Sequence, residues 1–215
     1  MSLRDEGAYK LVSEAKTAED IQKLKANGID LNARNVYGET ALINATKASG
    51  VDSFNLLIES GVDINAQDDN GRTALMFAAD PDKMRALIDK KADLNIKDKD
   101  GYTALWHIQY KDSFNLLLEA GIDVNAKDKY GFTILSGTFE KDKAALLVAY
   151  GADQKDLEEN GWFSDAKKAD ILNKAHILKT IREMKAAQKA PQSKTENKNT
   201  VISPALLKNL SLIHI

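Results

Sequence analysis

The stretch INAQDDNGRTAL, residues 64–75, is one of four similar twelve-residue stretches in the chain. The others are LNARNVYGETAL (31–42), LNIKDKDGYTAL (94–105) and VNAKDKYGFTIL (124–135). The threonine near the end of each copy is Thr40, Thr73, Thr103 and Thr133, so the period is 33 residues and then 30. A period in this range indicates a repeated structural unit that stacks on its neighbours, and not a duplicated active site.

A tight turn is predicted at the centre of each copy. An Asp or Asn stands three residues before a Gly, which is the preference of a type I turn whose side chain accepts a local backbone N–H. The pairs are Asn35 and Gly38, Asp68 and Gly71, Asp98 and Gly101, and Asp128 and Gly131. The alternation of apolar and polar residues before the turn predicts a hairpin-like finger, and the threonine after it suits the N-cap of a short first helix.

A second helix is predicted in each unit. It begins near an aspartate that suits a cap or the positive end of the helix dipole. These aspartates are Asp52, Asp82, Asp112 and Asp142. The helix ends at Gly61, Gly121 and Gly151, which we expect to be left-handed C-caps. Lys91 stands at the same place in the second unit, where a non-glycine residue costs on the order of 1 kcal/mol.

The phrases TALINA (40–45), TALMFA (73–78), TALWHI (103–108) and TILSGT (133–138) resemble the T-P-L-H-x-A signature of the ankyrin repeat. The closing phrases GIDLNA, GVDINA, KADLNI and GIDVNA are similar to the family's G-A-D-V-N-A. This resemblance covers about residues 28–153 and implies an all-α solenoid of helix-turn-helix units with projecting β-turn fingers and degenerate helical caps at both ends.

The family's histidine is replaced by Ile43, Met76, Trp106 and Ser136. We therefore expect apolar packing in place of the polar contacts that this histidine makes, with Met76 and Trp106 in the core. The predicted organisation is capping helices over 1–27, repeats over 28–160, a capping repeat and helix over 161–190, a linker over 191–200 and an apolar tail over 201–215. Gly161 follows Gly131 by the same 30 residues, which predicts a fifth, degenerate finger.

Composition limits the function. The net charge of -2 argues against a generally basic nucleic-acid-binding protein. The chain has no cysteine, which excludes disulfides, zinc-thiolate sites and thiol nucleophiles. No catalytic motif occurs, and the DKDG turn at 98–101 lacks the glutamate of a calcium-binding EF-hand. A lone His107 fits binding or packing better than general-base catalysis. We expect no cofactor, no metal and no enzymatic activity. No apolar run is long enough to cross a membrane, which favours a cytoplasmic location.

The resemblance implies that the fingers and first helices form a concave face that binds another protein. The residue after each finger glycine reads Glu39, Arg72, Tyr102, Phe132 and Trp162, and we expect the three aromatic rings to be exposed. Aromatic rings beside charged residues are typical of a protein-binding patch. The alternative is that the rings pack on neighbouring fingers and stiffen them. The candidate partner-binding residues are Tyr37, Arg72, Phe77, Lys99, Tyr102, His107, Lys129, Tyr130, Phe132 and Trp162.

The last quarter of the chain raises two further hypotheses. Its predicted helix carries Lys167, Lys168, Lys174, Lys179, Arg182, Lys185 and Lys189, a basic set that could bind nucleic acid or another polyanion. A solvated cap face is favoured over this, because no aromatic residues interleave with the charges. The apolar tail could dock on its own solenoid, with a regulatory or inhibitory effect, or on a second copy. An artefactual end is the alternative.

Overall fold

A computed structural model describes residues 3–189 of the chain, with side chains over 6–187. That part contains helices and two isolated antiparallel bridges, Arg34 with Thr40 and Lys127 with Thr133, and it has no β-strand. The predicted linker at 191–200 and apolar tail at 201–215 lie outside the described residues. The chain up to Lys179 forms one compact unit, which holds all the contacts analysed below.

The helices come in consecutive pairs. The first pair is α1 (Leu3–Glu14) and α2 (Ala18–Ala26). Four pairs follow, namely α3 (Ala41–Lys47) with α4 (Asp52–Glu59), α5 (Ala74–Phe77) with α6 (Pro81–Asp89), α7 (Ala104–His107) with α8 (Lys111–Glu119), and α9 (Ile134–Gly137) with α10 (Lys141–Ala149). The last pair is α11 (Gln154–Glu159) and α12 (Asp165–Lys189). Helix α3 has 7 residues where α5 has 4, which accounts for the longer first period.

The second helices carry the core. Their apolar positions recur in register and face inward, as the spacing predicts. Phe54, Met84, Phe114 and Ala144 are at most 4% exposed, and Leu57, Leu87, Leu117 and Leu147 are at most 2% exposed. Because full burial of one such side chain contributes about 1.5–3 kcal/mol, packing of each unit on its neighbours provides most of the cohesion.

The predicted threonines do occupy the N-cap of each first helix, but only two of them form the cap hydrogen bond. The hydroxyl of Thr40 accepts from the backbone N–H of Ile43, and that of Thr133 accepts from Ser136. Thr73 forms no such bond, and the hydroxyl of Thr103 is buried without a hydrogen-bond partner. The sequence therefore predicted the position of the helix start better than the bond that stabilises it.

The aspartates near the start of the second helices are not their caps. They lie in the first turn, where a carboxylate interacts favourably with the helix dipole. A side-chain cap occurs only in α6, where Asp80 accepts from the N–H groups of Asp82 and Lys83. The cap positions of the other three are Val51, Tyr110 and Glu140, and none of them caps with its side chain.

The ends of the second helices are as predicted. Gly61, Gly121 and Gly151 have positive φ angles of 74°, 86° and 98°. Lys91, with φ 65°, is the only residue other than glycine with a positive φ in the described part of the chain. The second repeat therefore holds a lysine in a conformation that glycine adopts with less strain.

The four predicted fingers are present: finger 1 (31–40), finger 2 (64–73), finger 3 (94–103) and finger 4 (124–133). In each, one oxygen of the turn side chain accepts two backbone N–H groups. Oδ1 of Asp68, for example, lies 2.8 Å from the backbone nitrogens of both Asn70 and Arg72. Asn35, Asp98 and Asp128 do the same in the other fingers. The side chain fixes the turn, as the Asp-x-x-Gly spacing predicts.

Hydrogen bonds join each finger to the next. At the base, the side-chain oxygens of Asn32, Asn65, Asn95 and Asn125 accept from the backbone N–H of Asp63, Asp93, Asp123 and Asp153 at 2.7–2.9 Å. At the tip, the carbonyls of Tyr37, Asn70 and Asp100 accept from the N–H of Asp69, Lys99 and Lys129 at 2.9–3.3 Å. The fingers therefore form one hydrogen-bonded row.

The predicted fifth finger does not form, because helix α11 takes its place. Asp153 caps α11 by accepting from the N–H of Lys155, and Leu157 is buried at 1% exposure. Residues 154–159, QKDLEE, lack the Asp-x-x-Gly turn and favour a helix. Trp162 therefore lies in the connection between α11 and α12 and is not part of a finger, so its predicted place beside Phe132 in the row of fingers is wrong.

Polar side chains connect three of the first helices, α3, α5 and α9, to the following unit. The buried ammonium of Lys83 donates to the carbonyls of Ala45, Thr46 and Ala48 at the end of α3. Ser113 donates to Ala79, beyond the end of α5, at 2.7 Å. The amide of Asn160 reaches the carbonyls of Leu135, Ser136 and Thr138 around the end of α9 at 3.0–3.2 Å. Ile43 and Met76, at the position of the family's histidine, are buried, as the expectation of apolar packing requires, and these polar contacts from other positions add to that packing.

Candidate functional site: the finger–helix face

We call the surface made by fingers 1–4 and the first helices α3, α5, α7 and α9 the finger–helix face. Arg72 lies on it, directly after the turn glycine of finger 2. Its Nε and a terminal nitrogen lie 2.9 Å and 2.8 Å from Oδ2 of Asp68. Burial raises the pKa of Asp68, but the hydrogen bonds from Arg72 and from the backbone outweigh this and hold the pKa below its ordinary value of 3.8. The charged pair fixes the guanidinium of Arg72 in place.

Phe77, on the first helix of the same repeat, is half-buried between two cations. Nζ of Lys47 lies 4.5 Å from the centre of its ring, and the guanidinium carbon of Arg72 lies 4.8 Å from it. Lys47 also pairs with the carboxylate of Glu39 in finger 1. Cation–π contacts of this kind stabilise by about 0.5–1 kcal/mol at exposed sites, so the first two repeats present an ordered set of charges around one ring.

Tyr102 is half-buried, whereas the sequence predicted an exposed ring. It stacks on Trp106 of α7, with ring centres 4.6 Å apart and an angle of 26° between the planes. Trp106 is half-buried and packs against the core without being fully enclosed by it, while Met76 is buried as predicted at 3% exposure. Burial, followed by the charges of Asp128, Asp100 and Asp98, raises the pKa of Tyr102.

His107 links the first helix of the third repeat to finger 3. Its Nε2 lies 2.8 Å from Oδ2 of Asp98. In finger 2 the corresponding oxygen, Oδ2 of Asp68, is bound by Arg72 instead. Its ring also meets the ring of Tyr102 edge-on, with centres 6.2 Å apart. His107 therefore orders finger 3 and keeps Tyr102 in position.

Finger 4 carries two exposed aromatic rings. Phe132 is 59% exposed and Tyr130 is 71% exposed. Ser136 occupies the position that corresponds to Trp106, the residue that covers Tyr102 in the preceding repeat. Gly137 occupies the position that corresponds to His107. Because neither residue has a ring, nothing on α9 can stack on Phe132, and the ring remains open to solvent.

The remaining predicted residues lie at the finger tips. Tyr37 is 69% exposed on finger 1, and Lys99 is exposed on finger 3. Nζ of Lys129 lies 2.5 Å from Oδ1 of Asp100 and 5.1 Å from the centre of the Tyr130 ring. The hydrogen bond to Asp100 raises the pKa of Lys129.

The structure groups the predicted residues in pairs: Arg72 with Phe77, Tyr102 with His107, and Lys129 with Tyr130. Trp162, 68% exposed, is separated from them by its place between α11 and α12. Sequence reasoning named Glu39 in the series after the finger glycines but left it out of the candidate binding residues, and it missed Lys47. The length of α3 was the available signal, since its extra residues bring Lys47 into the helix.

The basic residues of α12 are partly engaged within the protein. Nζ of Lys168 donates to the carbonyl of Glu158 at 2.6 Å, and Nζ of Lys174 lies 2.8 Å from Oδ1 of Asp142. The hydrogen bond from Lys174 lowers the pKa of Asp142. The side chain of Lys189 lies outside the described residues. The predicted basic face therefore has fewer available charges than its sequence suggests.

Over the described residues, no group of three or more His, Cys, Asp or Glu side chains is arranged to hold a metal ion. In the same part of the chain, no helix is both long enough and apolar enough to cross a membrane.

Comparison with protein families agrees with this architecture. The family model for ankyrin repeats (3 copies) matches residues 10–98 and 43–128, which together make up more than half of the chain. A search of curated proteins finds no significant match. Ankyrin repeats are generally protein–protein interaction modules. On the strength of the matched residues, the chain belongs to the ankyrin repeat family.

Proposed function

We propose that this protein is a non-enzymatic scaffold that binds a protein partner through the finger–helix face, with the strongest contacts at fingers 3 and 4. The observation that carries the proposal is the exposure of Tyr130 and Phe132 on finger 4, with the ammonium of Lys129 5.1 Å from the centre of the Tyr130 ring. Large aromatic rings within a polar surround are the composition found at the centre of protein interfaces.

The rest of the face supports the same function because its side chains are already ordered. Arg72 is bound to Asp68, and His107 is bound to Asp98. Immobilising a flexible side chain at an interface costs about 0.5–1.5 kcal/mol. Side chains that are fixed before the partner arrives avoid much of that cost, so the paired residues supply a rigid surface next to the exposed rings.

The alternative interpretation, that the aromatic residues only stiffen the fingers, fits Tyr102 and does not fit Phe132. Tyr102 stacks on Trp106 and thereby fixes finger 3 against α7. Phe132 has no aromatic contact within the described part of the chain. A stiffening role leaves the exposure of Phe132 unexplained, whereas a partner-binding role accounts for it.

The experiment is quantitative capture from a lysate of native cells with wild-type protein and two double variants. Tyr130→Ala with Phe132→Ala removes the exposed rings of finger 4. Tyr110→Ala with Phe139→Ala is the matched control, because it removes two rings that are 67% and 70% exposed at the connections between first and second helices. We expect the first variant to lose the proteins that wild type retains and the control to keep them, with unchanged helical circular dichroism in both.

Equal capture by the finger 4 variant and wild type would reject this face as the binding site. Loss of capture in the control alone would transfer the function to the helix connections. A second function, polyanion binding through α12, gains no support from the geometry, since Lys168 and Lys174 are engaged with Glu158 and Asp142.

A further inference from the structure

The outer edge of finger 4 differs from the same edge of fingers 1–3. Each earlier finger is covered by the one that follows it, whereas finger 4 is followed by helix α11. Three contacts that join each earlier finger to the next one are missing at this edge. The groups that would make them are a side-chain donor, a backbone carbonyl and a turn glycine, and all three lie on the same edge.

The first feature is a side chain that reaches across to the next finger. Arg34 donates to the carbonyl of Gln67 at 2.6 Å, Gln67 donates to the carbonyl of Lys97 at 3.3 Å, and Lys97 donates to the carbonyl of Lys127 at 2.8 Å. Lys127 is the fourth member of this series. Its ammonium has no hydrogen-bond or ion-pair partner among residues 6–187, because the finger that would offer the next carbonyl is missing.

The second feature is a backbone carbonyl at the finger tip. The carbonyls of Tyr37, Asn70 and Asp100 each accept from an N–H of the next finger. Tyr130 occupies the same position in finger 4. Its carbonyl accepts no hydrogen bond from the described residues, so the edge offers one free acceptor in addition to the free donor of Lys127.

The third feature is the turn glycine. A Cβ added to Gly101 would lie 2.6 Å from the backbone nitrogen of Lys129, and one added to Gly38 would lie 2.7 Å from that of Asp69. At Gly71 the nearest atom, Cα of Asp98, would be 3.1 Å away. A Cβ on Gly131 would meet no atom within 4 Å. The backbone contact that covers the first three glycines is therefore absent at the fourth.

A groove of about 880 Å³ runs beside this edge, between finger 4 and α11. Lys127, Gly131 and Phe132 line one side, and Asp156 and Glu159 line the other. The hydroxyl of Thr133 donates to Oδ2 of Asp156 at 2.5 Å, which ties the base of finger 4 to the opposite wall. The groove separates finger 4 from α11, on the side of finger 4 where each earlier finger carries the next one.

We propose that the outer edge of finger 4 is a docking site for a turn-forming loop of a partner protein, which takes the place of the missing finger. An N–H of the loop donates to the carbonyl of Tyr130, and a carbonyl of the loop accepts from the ammonium of Lys127. The loop backbone covers Gly131. This is addition of a backbone segment to an open hydrogen-bonded edge, a known mode of peptide recognition. The site adjoins the finger–helix face, since Phe132 lines the groove and also belongs to that face. The two backbone contacts and the test with Lys127→Met do not depend on binding at the face.

A second copy of the chain does not fit the site, although finger 1 has the complementary edge. Finger 1 is attached to α2 in the way that a fifth finger would be attached to α10. A second copy with its finger 1 seated on finger 4 would therefore place its α1 and α2 on top of α9 and α10. A loop of a different protein carries no such neighbour.

The test uses a backbone-cyclised peptide that carries residues 91–103 of this chain, KADLNIKDKDGYT, as a substitute for the partner loop. The full-length protein, labelled with ¹⁵N, is titrated with the peptide to about 1 mM, a range suited to a weak single-loop contact. A cyclised peptide of scrambled sequence is the control ligand. We expect amide shifts confined to residues 125–133 and 153–161, and none with the scrambled peptide.

Two variants decide whether the edge itself is responsible. Lys127→Met removes the free donor while it keeps most of the side-chain stem, and we expect it to weaken binding about tenfold, as loss of a hydrogen bond from a charged group does. Lys111→Met, an exposed lysine at the start of α8, should leave the affinity unchanged. Absence of shifts, shifts elsewhere on the protein, or equal affinity for Lys127→Met and wild type would each overturn the proposal.

Discussion

Arg72 holds Asp68 by two nitrogens, at 2.9 Å and 2.8 Å from the same carboxylate oxygen, while the other oxygen closes the turn of finger 2. The turn and the binding surface therefore share one side chain. A change at Asp68 affects both the fold of the finger and the position of the guanidinium on its surface.

The first prediction concerns acid stability. The pKa of Asp68 is lower in the folded protein than its ordinary value of 3.8, so the unfolded chain binds more protons in acid. The stabilisation is present above about pH 4 and is lost as the pH falls through the folded pKa. Asp68→Asn should cost about 1–2 kcal/mol at pH 7 and much less at pH 3, measured by urea unfolding.

An asparagine at position 68 should still close the turn, because Asn35 accepts the two equivalent N–H groups in finger 1. The effect at Asp68 thus reports the charge. Asp89→Asn, at an exposed position at the end of α6, is the control and should show no comparable dependence on pH. A constant difference between wild type and Asp68→Asn from pH 7 to pH 3 would contradict the assignment.

The second prediction separates backbone strain from finger packing. Gly101 and Gly131 have similar φ angles, 84° and 89°, so alanine should be strained by a similar amount at both, about 1–2 kcal/mol. Only at Gly101 would the methyl also collide with the next finger. We expect Gly101→Ala to lose at least about 1 kcal/mol more than Gly131→Ala in denaturant unfolding. Equal losses would mean that the contact between fingers 3 and 4 is loose.

The third prediction is a stabilising substitution. Lys91 is held at φ 65° where the equivalent residues are glycines. Lys91→Gly should raise the free energy of unfolding by about 0.5–1 kcal/mol, since relief of the left-handed strain exceeds the entropic cost of glycine. Lys90→Gly, one residue earlier at φ -80°, should instead destabilise the protein. Thermal unfolding of both variants checks the sign, and a lower melting temperature for Lys91→Gly would refute the argument.

The fourth prediction tests the connection between the first two full repeats. Lys83 is 2% exposed, and its ammonium donates to three carbonyls at the end of α3. Lys83→Met keeps the stem but leaves those carbonyls without their donor, and we expect a loss of about 2–4 kcal/mol. Lys111→Met serves as the exposed control. A loss below about 0.5 kcal/mol would show that water replaces the ammonium at no cost.

The sequence predicted those features that depend on local chemistry. The turns follow from Asp or Asn three residues before Gly, and the left-handed helix ends follow from glycine. The core follows from residues that recur in register, such as Leu87 and Leu117. Each of these depends on a few neighbouring residues, so one copy of the repeat contains the information.

The errors concern contacts between units. Tyr102 is covered because Trp106 follows it by four residues, and Phe132 is exposed because Ser136 stands in that place. Their burial therefore depends on a second position that varies between copies. The prediction for Trp162 is wrong because Gly161, although 30 residues after Gly131, follows helix α11 and does not belong to a finger turn. The spacing between two glycines does not show whether the second one lies in a finger turn or follows a helix.

The asparagine bonds at the finger bases have an implication for how such a chain changes in length. Each bond joins the asparagine of one finger to the aspartate that lies two residues before the equivalent position in the next unit. Any 30-residue segment duplicated between Thr73 and Thr133 therefore brings its own donor and its own acceptor. The protein can thus be lengthened from within, by duplication of interior segments, because each new unit bonds to its neighbours as the existing ones do.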